Sequence, residues 1–232
     1  MLKHIPNLLT ISNLICGCIA LYFSFHNNLV FAAYLIGLSA VFDFMDGFAA
    51  RLLKVSGPMG KELDSLADMV SFGVVPGSVV FHLLEASTLS NFAFVALLIP
   101  AFSAYRLAKF NIDERQADGF IGLNTPACTL FFISFPLISH FQPSHFLNQF
   151  IVMPELLLAL TVVMSLAMVS EIHLFSFKFK SLKFTENKLR FSFIALSLSS
   201  IFAFHFAAIP LLVLLYLVLS VVSNYKGKQA SY

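Results

Sequence analysis

Four aspartates stand in stretches of chain that are otherwise apolar. Asp43, Asp46, Asp64 and Asp68 lie inside two hydrophobic runs, and an aspartate at the centre of a membrane span costs about 2.5–3.5 kcal/mol. Ionisable groups in that setting point to function by default. Asp43, Asp46, Gly47 and Ala50 follow i, i+3, i+4, i+7, and Gly60, Asp64 and Asp68 follow i, i+4, i+8. Each set makes one face of a helix. Between Arg51 and Gly60, the residues Ser56-Gly57-Pro58 mark a turn that folds the second run back beside the first. The two acidic faces can then meet. Gly47, Ala50 and Gly60 leave those faces bare, so a backbone or a bulky ligand can approach closely.

Carboxylates gathered in this way repel, and either protons or cations must neutralise them. A set of oxygen ligands without His or Cys favours hard cations such as magnesium, manganese or calcium. Magnesium is usually held by a few carboxylates together with substrate phosphates. Two such ions about 3.5–4 Å apart are a common device for displacement at phosphorus. The competing uses for these aspartates are helix capping, pairing with Arg51, Lys54 and Lys61, or a cation-transport site. Transporters commonly show internal repeats and broken helices at mid-membrane. This chain shows no repeat, and its acidic cluster lies toward one end of the two runs. Cys16, Cys18 and Cys128 all sit in apolar runs and read as small buried hydrophobes. His4, His26, His82, His140, His145, His173 and His205 show no metal-ligand spacing and read as packing or interface residues.

The elements that carry the aspartates belong to a membrane protein. Of 232 residues, 59% are hydrophobic and 11% charged, with mean hydropathy +0.87. Soluble domains carry about 25% charged residues. Eight runs approach the roughly 20 residues of a spanning helix: Asn7–Phe25, Leu29–Leu53, Glu62–Leu84, Phe92–Phe110, Thr125–Phe141, Ile151–Phe175, Phe191–Phe206 and Pro210–Tyr225. The last two are expected to form a tight hairpin near His205–Pro210, with Pro210 opening the final helix. All 14 basic residues then fall on one side of the membrane: Lys3, Arg51, Lys54, Lys61, Arg106, Lys109, Arg115, Lys178, Lys180, Lys183, Lys188, Arg190, Lys226 and Lys228. That side is expected to be cytoplasmic, with both termini on it. Pro76, Pro136 and Pro210 are candidate kinks. The first run is read as a retained span, not a cleaved leader, because no A-x-A site follows it.

The string Asp43-x2-Asp46-Gly47-x2-Ala50-Arg51-x8-Gly60-x3-Asp64-x3-Asp68 resembles the signature of the CDP-alcohol phosphotransferase family, with all eight fixed positions present over 26 residues. Ile5-Pro6-Asn7-Leu8-Leu9-Thr10 is similar to the family's opening to its first helix. The run Asp64-Ser65-Leu66-Ala67-Asp68-Met69-Val70-Ser71-Phe72-Gly73 resembles the phosphatidylserine synthase branch of the family. So do Arg106-Leu107-Ala108-Lys109-Phe110-Asn111, Gly122-Leu123 and Pro126. Eight spans suit that branch better than the family's six-span core. Lys109 stands where the branch carries Arg, and Asn124 where it carries Pro.

The resemblance implies an all-α polytopic enzyme that transfers a phosphatidyl group from CDP-diacylglycerol to serine and releases CMP. It implies that Asp43, Asp46 and Asp64 bind two divalent ions, magnesium or manganese, with Asp68 on the second ion and acting as general base. Gly47, Ala50 and Arg51 would touch the CDP moiety, together with Gly60 and, more loosely, Asn7 and Thr10. Arg106 or Lys109 would pair with the serine carboxylate, and Asn111 would orient it. Inositol phosphate or glycerol phosphate are the alternative acceptors. The expected organisation is one domain over residues 1–232, with a six-helix catalytic core over 1–175 and an added two-helix hairpin over 191–225. A homodimer in the inner (plasma) membrane is expected, with its site facing the cytoplasm and with no nucleic-acid partner.

Overall fold

The computed structural model describes residues 4–55, 57–113, 120–174 and 188–229. Lys3, Ser56, Arg115, Phe175, Lys178, Lys180 and Lys183, which entered the turn, span and charge arguments, lie outside the described residues. The helices are α1 (Ile5–Phe25), α2 (Leu29–Leu53), α3 (Pro58–Asp68), α4 (Val75–Glu85), α5 (Leu98–Ile112), α6 (Thr125–Phe141), α7 (Phe146–Ile151), α8 (Pro154–Val169), α9 (Lys188–Phe204) and α10 (Ala208–Gln229). A π-helical segment, Met69–Val74, joins α3 to α4, and a 3-10 segment, Ser90–Leu97, leads into α5. Apart from helices, the described residues hold one two-residue strand pair, β1 (Phe120–Ile121) antiparallel to β2 (His173–Leu174). Among the described residues, five helical stretches are long and apolar enough to cross a membrane: Ile5–Phe25, Leu29–Leu53, Pro58–Glu85, Ser90–Ile112 and Ser192–Val222. The chain is a membrane protein.

The polarity of α1 is the reverse of a soluble helix. Its buried face is Pro6, Thr10, Asn13, Gly17, Ala20 and Ser24, small or polar at every turn. Leu8, Ile15, Ile19 and Tyr22 point outward. Lipid is as apolar as leucine, so burying large side chains gains little, and helices associate instead through small residues and hydrogen bonds. α2 buries mostly small or polar residues too, Ala32, Ala33, Ser39 and Asp46, with Ile36 as the one large side chain among them. α2 ends at Leu53 and is capped by Lys54, with φ 53° and the Val55 N–H on the Ala50 carbonyl at 3.1 Å, a Schellman-type stop. Pro58 then opens α3, where its missing N–H costs nothing.

The expected run Glu62–Leu84 begins earlier, at Pro58, and is not one regular helix. Pro76 has no N–H to offer the Phe72 carbonyl four residues back. Thr129 Oγ1 of α6 donates to that carbonyl at 2.7 Å instead, and the chain over Met69–Val74 takes the wider π pitch. Small residues let this bent element sit close to its neighbours. A Cβ on Gly17 of α1 would lie 3.0 Å from Ser71 Cα, and one on Gly77 would lie 2.8 Å from Pro100 Cδ of α5. α6 is the buried centre of the molecule, with Cys128, Phe131, Phe132, Phe135 and Ile138 in the main core. Asn124 caps α6 by accepting from the Ala127 N–H at 3.0 Å, which is what asparagine supplies where the resembling branch has proline.

The expected run Ile151–Phe175 is divided. α7 ends at Ile151, Pro154 opens a shorter α8, and the chain leaves helix at Ser170 to form β2. Between α9 and α10 the chain turns, and α10 begins at Ala208 and not at Pro210. His205 takes φ 48°, and Gln142 clamps the turn, donating to the Phe204 carbonyl at 2.9 Å and accepting from the Ala207 N–H at 3.1 Å. Phe193 and Tyr216 lie with ring centroids 6.1 Å apart. In one straight helix they would be about 35 Å apart. Gly77→Val should overpack the α4–α5 contact and cost about 1–3 kcal/mol. A thermal midpoint in detergent lowered by several degrees checks this, and an unchanged midpoint would contradict the contact.

Candidate active site

Two helices and the turn between them bring the aspartates together. Asp43 and Asp46 come from the second half of α2, and Asp64 and Asp68 from α3. One carboxylate oxygen from each of Asp43, Asp64 and Asp68 lies within 4.8 Å of the others. Asp46 faces the neighbouring cavity and accepts a hydrogen bond on Oδ2 from Thr10 Oγ1 of α1 at 2.6 Å. Asp68, 8% exposed, accepts on Oδ1 from Asn13 Nδ2 at 3.2 Å.

The cluster fits a divalent cation by its donors. Asp64 Oδ1 is buried and has no hydrogen-bond partner among the described residues. Such an orphaned acceptor is costly unless something positive meets it. Among the described residues, no lysine or arginine forms an ion pair with any of the four aspartates, so they are not partners of Arg51, Lys54 or Lys61. Three converging oxygen donors, with no nitrogen or sulfur, suit a hard cation.

An open cavity of about 630 Å³ lies beside the cluster. Asn7 and Thr10 of α1, Asp46, Gly47 and Ala50 of α2, and Gly60, Lys61 and Asp64 of α3 line it. A Cβ on Gly47 would meet nothing within 4 Å, and one on Gly60 only Asn7 Oδ1 at 3.5 Å. Neither glycine is demanded by helix packing, and the space each leaves belongs to the cavity. Arg51 is not among the lining residues. Its guanidinium is exposed and its Nε donates to the Gly47 carbonyl at 3.0 Å, one turn back on the same helix.

The residues expected to meet serine separate into two kinds. Arg106 is 7% exposed. Its Nη1 donates to Thr125 Oγ1 at 2.8 Å, its Cζ lies 6.0 Å from the Phe110 ring centroid, and its Nε has no partner among the described residues. Lys109 and Asn111 are already engaged. Lys109 Nζ lies 2.5 Å from Glu171 Oε1, and Asn111 Nδ2 donates to Ser65 Oγ at 2.9 Å. Lys61, expected as a topological charge or an ion-pair partner of the aspartates, lines the cavity together with Glu62. Lys61 Nζ also donates to the Asn111 carbonyl at 2.6 Å, tying α3 to the end of α5. Asn13, Ser39 and Ser71 support the cluster and were missed. The available signal was Asn13's place on the same α1 face as Thr10 and Gly17.

The geometry makes a stability prediction for the protein without substrate. Asp64→Asn removes one of several mutually repelling charges and one cation ligand. In chelator the variant should be more stable than wild type, on the order of 1 kcal/mol. Manganese should raise the thermal midpoint of the wild type by mass action and leave that of the variant unmoved. A wild-type response to manganese in Asp64→Asn would remove Asp64 from the ligand set.

Comparison with known proteins gives the family. A family model described as CDP-alcohol phosphatidyltransferase matches residues 3–172. A Helicobacter pylori protein named CDP-diacylglycerol--serine O-phosphatidyltransferase is 30% identical over 223 residues, covering 94% of this chain and 89% of that protein. Proteins of the same name from Bacillus subtilis and Methanocaldococcus jannaschii are 36% and 37% identical over 125 and 132 residues. These two matches cover 54% and 56% of this chain, and 71% and 59% of the respective relatives. The matched region holds the acidic cluster, the cavity and Arg106, and the chain belongs to the CDP-alcohol phosphatidyltransferase family.

Proposed function

We propose that this protein transfers the phosphatidyl group of CDP-diacylglycerol to the hydroxyl of L-serine, giving phosphatidylserine and CMP. The observation that carries this reading is the convergence of Asp43, Asp64 and Asp68 beside a cavity walled by bare glycines. The CDP moiety lies along Gly47, Ala50 and Gly60, with Asn7 and Thr10 facing it from α1. Arg51 swings from the Gly47 carbonyl to the nucleotide phosphates, as a fixed charge with a planar fork can do. Asp43, Asp46, Asp64 and Asp68 would hold two divalent ions, magnesium or manganese. Such ions, when bound, neutralise the pyrophosphate and stabilise the leaving phosphate.

Asp68 takes the serine hydroxyl proton as general base. The serine oxygen forms its bond to the phosphorus next to the lipid, the bond from that phosphorus to CMP breaks, and CMP leaves with the electron pair. Arg106 receives the serine carboxylate. Its buried guanidinium, with Nε unpartnered, supports this role better than Lys109 or Asn111, whose side chains are held by Glu171 and Ser65. A carboxylate on Arg106 would supply the charge-assisted bond that Nε lacks.

The same reading extends to the whole chain. Residues 1–175 form the catalytic core and 191–225 an added hairpin, a division supported by the end of the family match at 172. Eight spans with both termini cytoplasmic are supported by the one-sided distribution of the 14 basic residues. The site then faces the cytoplasm from the inner membrane. The resemblance to the family supports a homodimer.

Purified protein with manganese and CDP-diacylglycerol should release CMP and form phosphatidylserine when serine is added. CMP release only with inositol phosphate or glycerol phosphate would overturn the serine assignment. Asp68→Asn should abolish transfer while CDP-lipid binding largely survives. Full activity in that variant would remove Asp68 as the base.

A further inference from the structure

Asp68 owes its place to a residue that the proposed chemistry leaves idle. Asn13 lies in the middle of α1 with no exposed surface. Its Nδ2 donates to Asp68 Oδ1 at 3.2 Å. Its Oδ1 accepts a short hydrogen bond from Ser39 Oγ of α2. Its main-chain carbonyl accepts from Ser71 Oγ of the π segment at 3.1 Å, and Ser39 Oγ lies 3.3 Å from that same oxygen. Three elements therefore meet on one asparagine.

The direction of the amide follows from donor and acceptor matching. Ser39 has one hydroxyl proton and two Asn13 oxygens within reach, so it acts as the donor. With the amide turned around, its oxygen would face a carboxylate oxygen, two acceptors with no proton between them. In a buried site that loss is not repaid by water. Asn13 thus presents its NH2 group to Asp68 and fixes the plane of that carboxylate. The close approach of α1 to the π segment at Gly17 keeps the distance short, since a Cβ there would lie 3.0 Å from Ser71 Cα.

We infer that Asn13, oriented by Ser39, is the positioning residue for Asp68, setting the direction of its carboxylate toward Asp43 and Asp64 and so the affinity of the cluster for a divalent cation. This rests on the reading of the cluster as a metal site. Groups that orient metal-binding side chains commonly change affinity or activity by about 10–100-fold when removed.

The test measures Mn2+ binding to the purified, substrate-free protein by electron paramagnetic resonance, alongside kcat, KM and the thermal midpoint in chelator. Asn13→Leu should weaken Mn2+ binding by about tenfold or more and lower kcat, with KM for CDP-diacylglycerol at saturating Mn2+ within about twofold, because Asn13 does not line the cavity. Ser39→Ala should move both quantities in the same direction by a smaller factor, with the thermal midpoint near wild type. The double variant should bind Mn2+ no worse than Asn13→Leu, since residues acting through one another are not additive. Wild-type Mn2+ affinity in Ser39→Ala would overturn the inference even if Asn13→Leu did not fold. Additive losses would overturn the relay from Ser39. A wild-type protein that binds no Mn2+ would sink the metal reading itself, and this inference with it.

Discussion

Four carboxylates inside an apolar bundle set the terms for everything around them. Each is expensive to bring out of water, and together they repel. The fold answers by gathering three of them within 4.8 Å and covering them with α1. That helix turns Thr10 and Asn13, both hydrogen-bond donors, toward Asp46 and Asp68. The polar inner face of α1 and its apolar outer face are the consequence. On α1 lipid solvates the large side chains and leaves the inner face to polar groups, while the large buried side chains gather around α6.

Close approach of backbones is the second requirement, and it is met by small residues and a locally widened helix. Gly17 admits Ser71, Gly73 admits Ser103, and Gly77 admits Pro100. The π segment that follows Asp68 is tied to Pro76, which cannot donate to Phe72, and to Thr129, which can. A π insertion rotates the residues on either side relative to a regular helix. The acidic face of α3 and the packing face of α4 are thereby set independently. α6 takes part twice, through Thr129 on the Phe72 carbonyl and Thr125 on Arg106.

The cavity end of the molecule is held by a few polar ties across elements far apart in sequence. Lys61 reaches the Asn111 carbonyl, Lys109 reaches Glu171, and Gly122, with φ 76°, lets its N–H meet the Ile172 carbonyl at 2.8 Å. The first two ties join the end of α5 to α3 and to the segment after α8. The terminal hairpin is joined to the rest by Gln142 at its turn and by Tyr216 in the main core.

The amino-acid sequence by itself determined the elements and the identity of the chemical groups. Asp43, Asp46, Asp64 and Asp68 were legible because aspartates in apolar helices are costly, and helical spacing alone puts them on two faces. Gly47, Ala50 and Gly60 were legible as the bare positions between them, and the hairpin near His205 because a single helix there would overrun the bilayer. Only the tertiary structure decided which of these groups meet. It put Asp46 with Thr10, left Arg51 on its own helix, engaged Lys109 with Glu171, and made Asn13 the support of Asp68. The physical reason is range. Helix periodicity and transfer cost act over a few residues and can be read along the chain. A hydrogen bond between residues 55 apart in sequence, such as Asn13 to Asp68, depends on how closely whole helices approach, and that is settled by packing at Gly17, Ser71 and the π segment together.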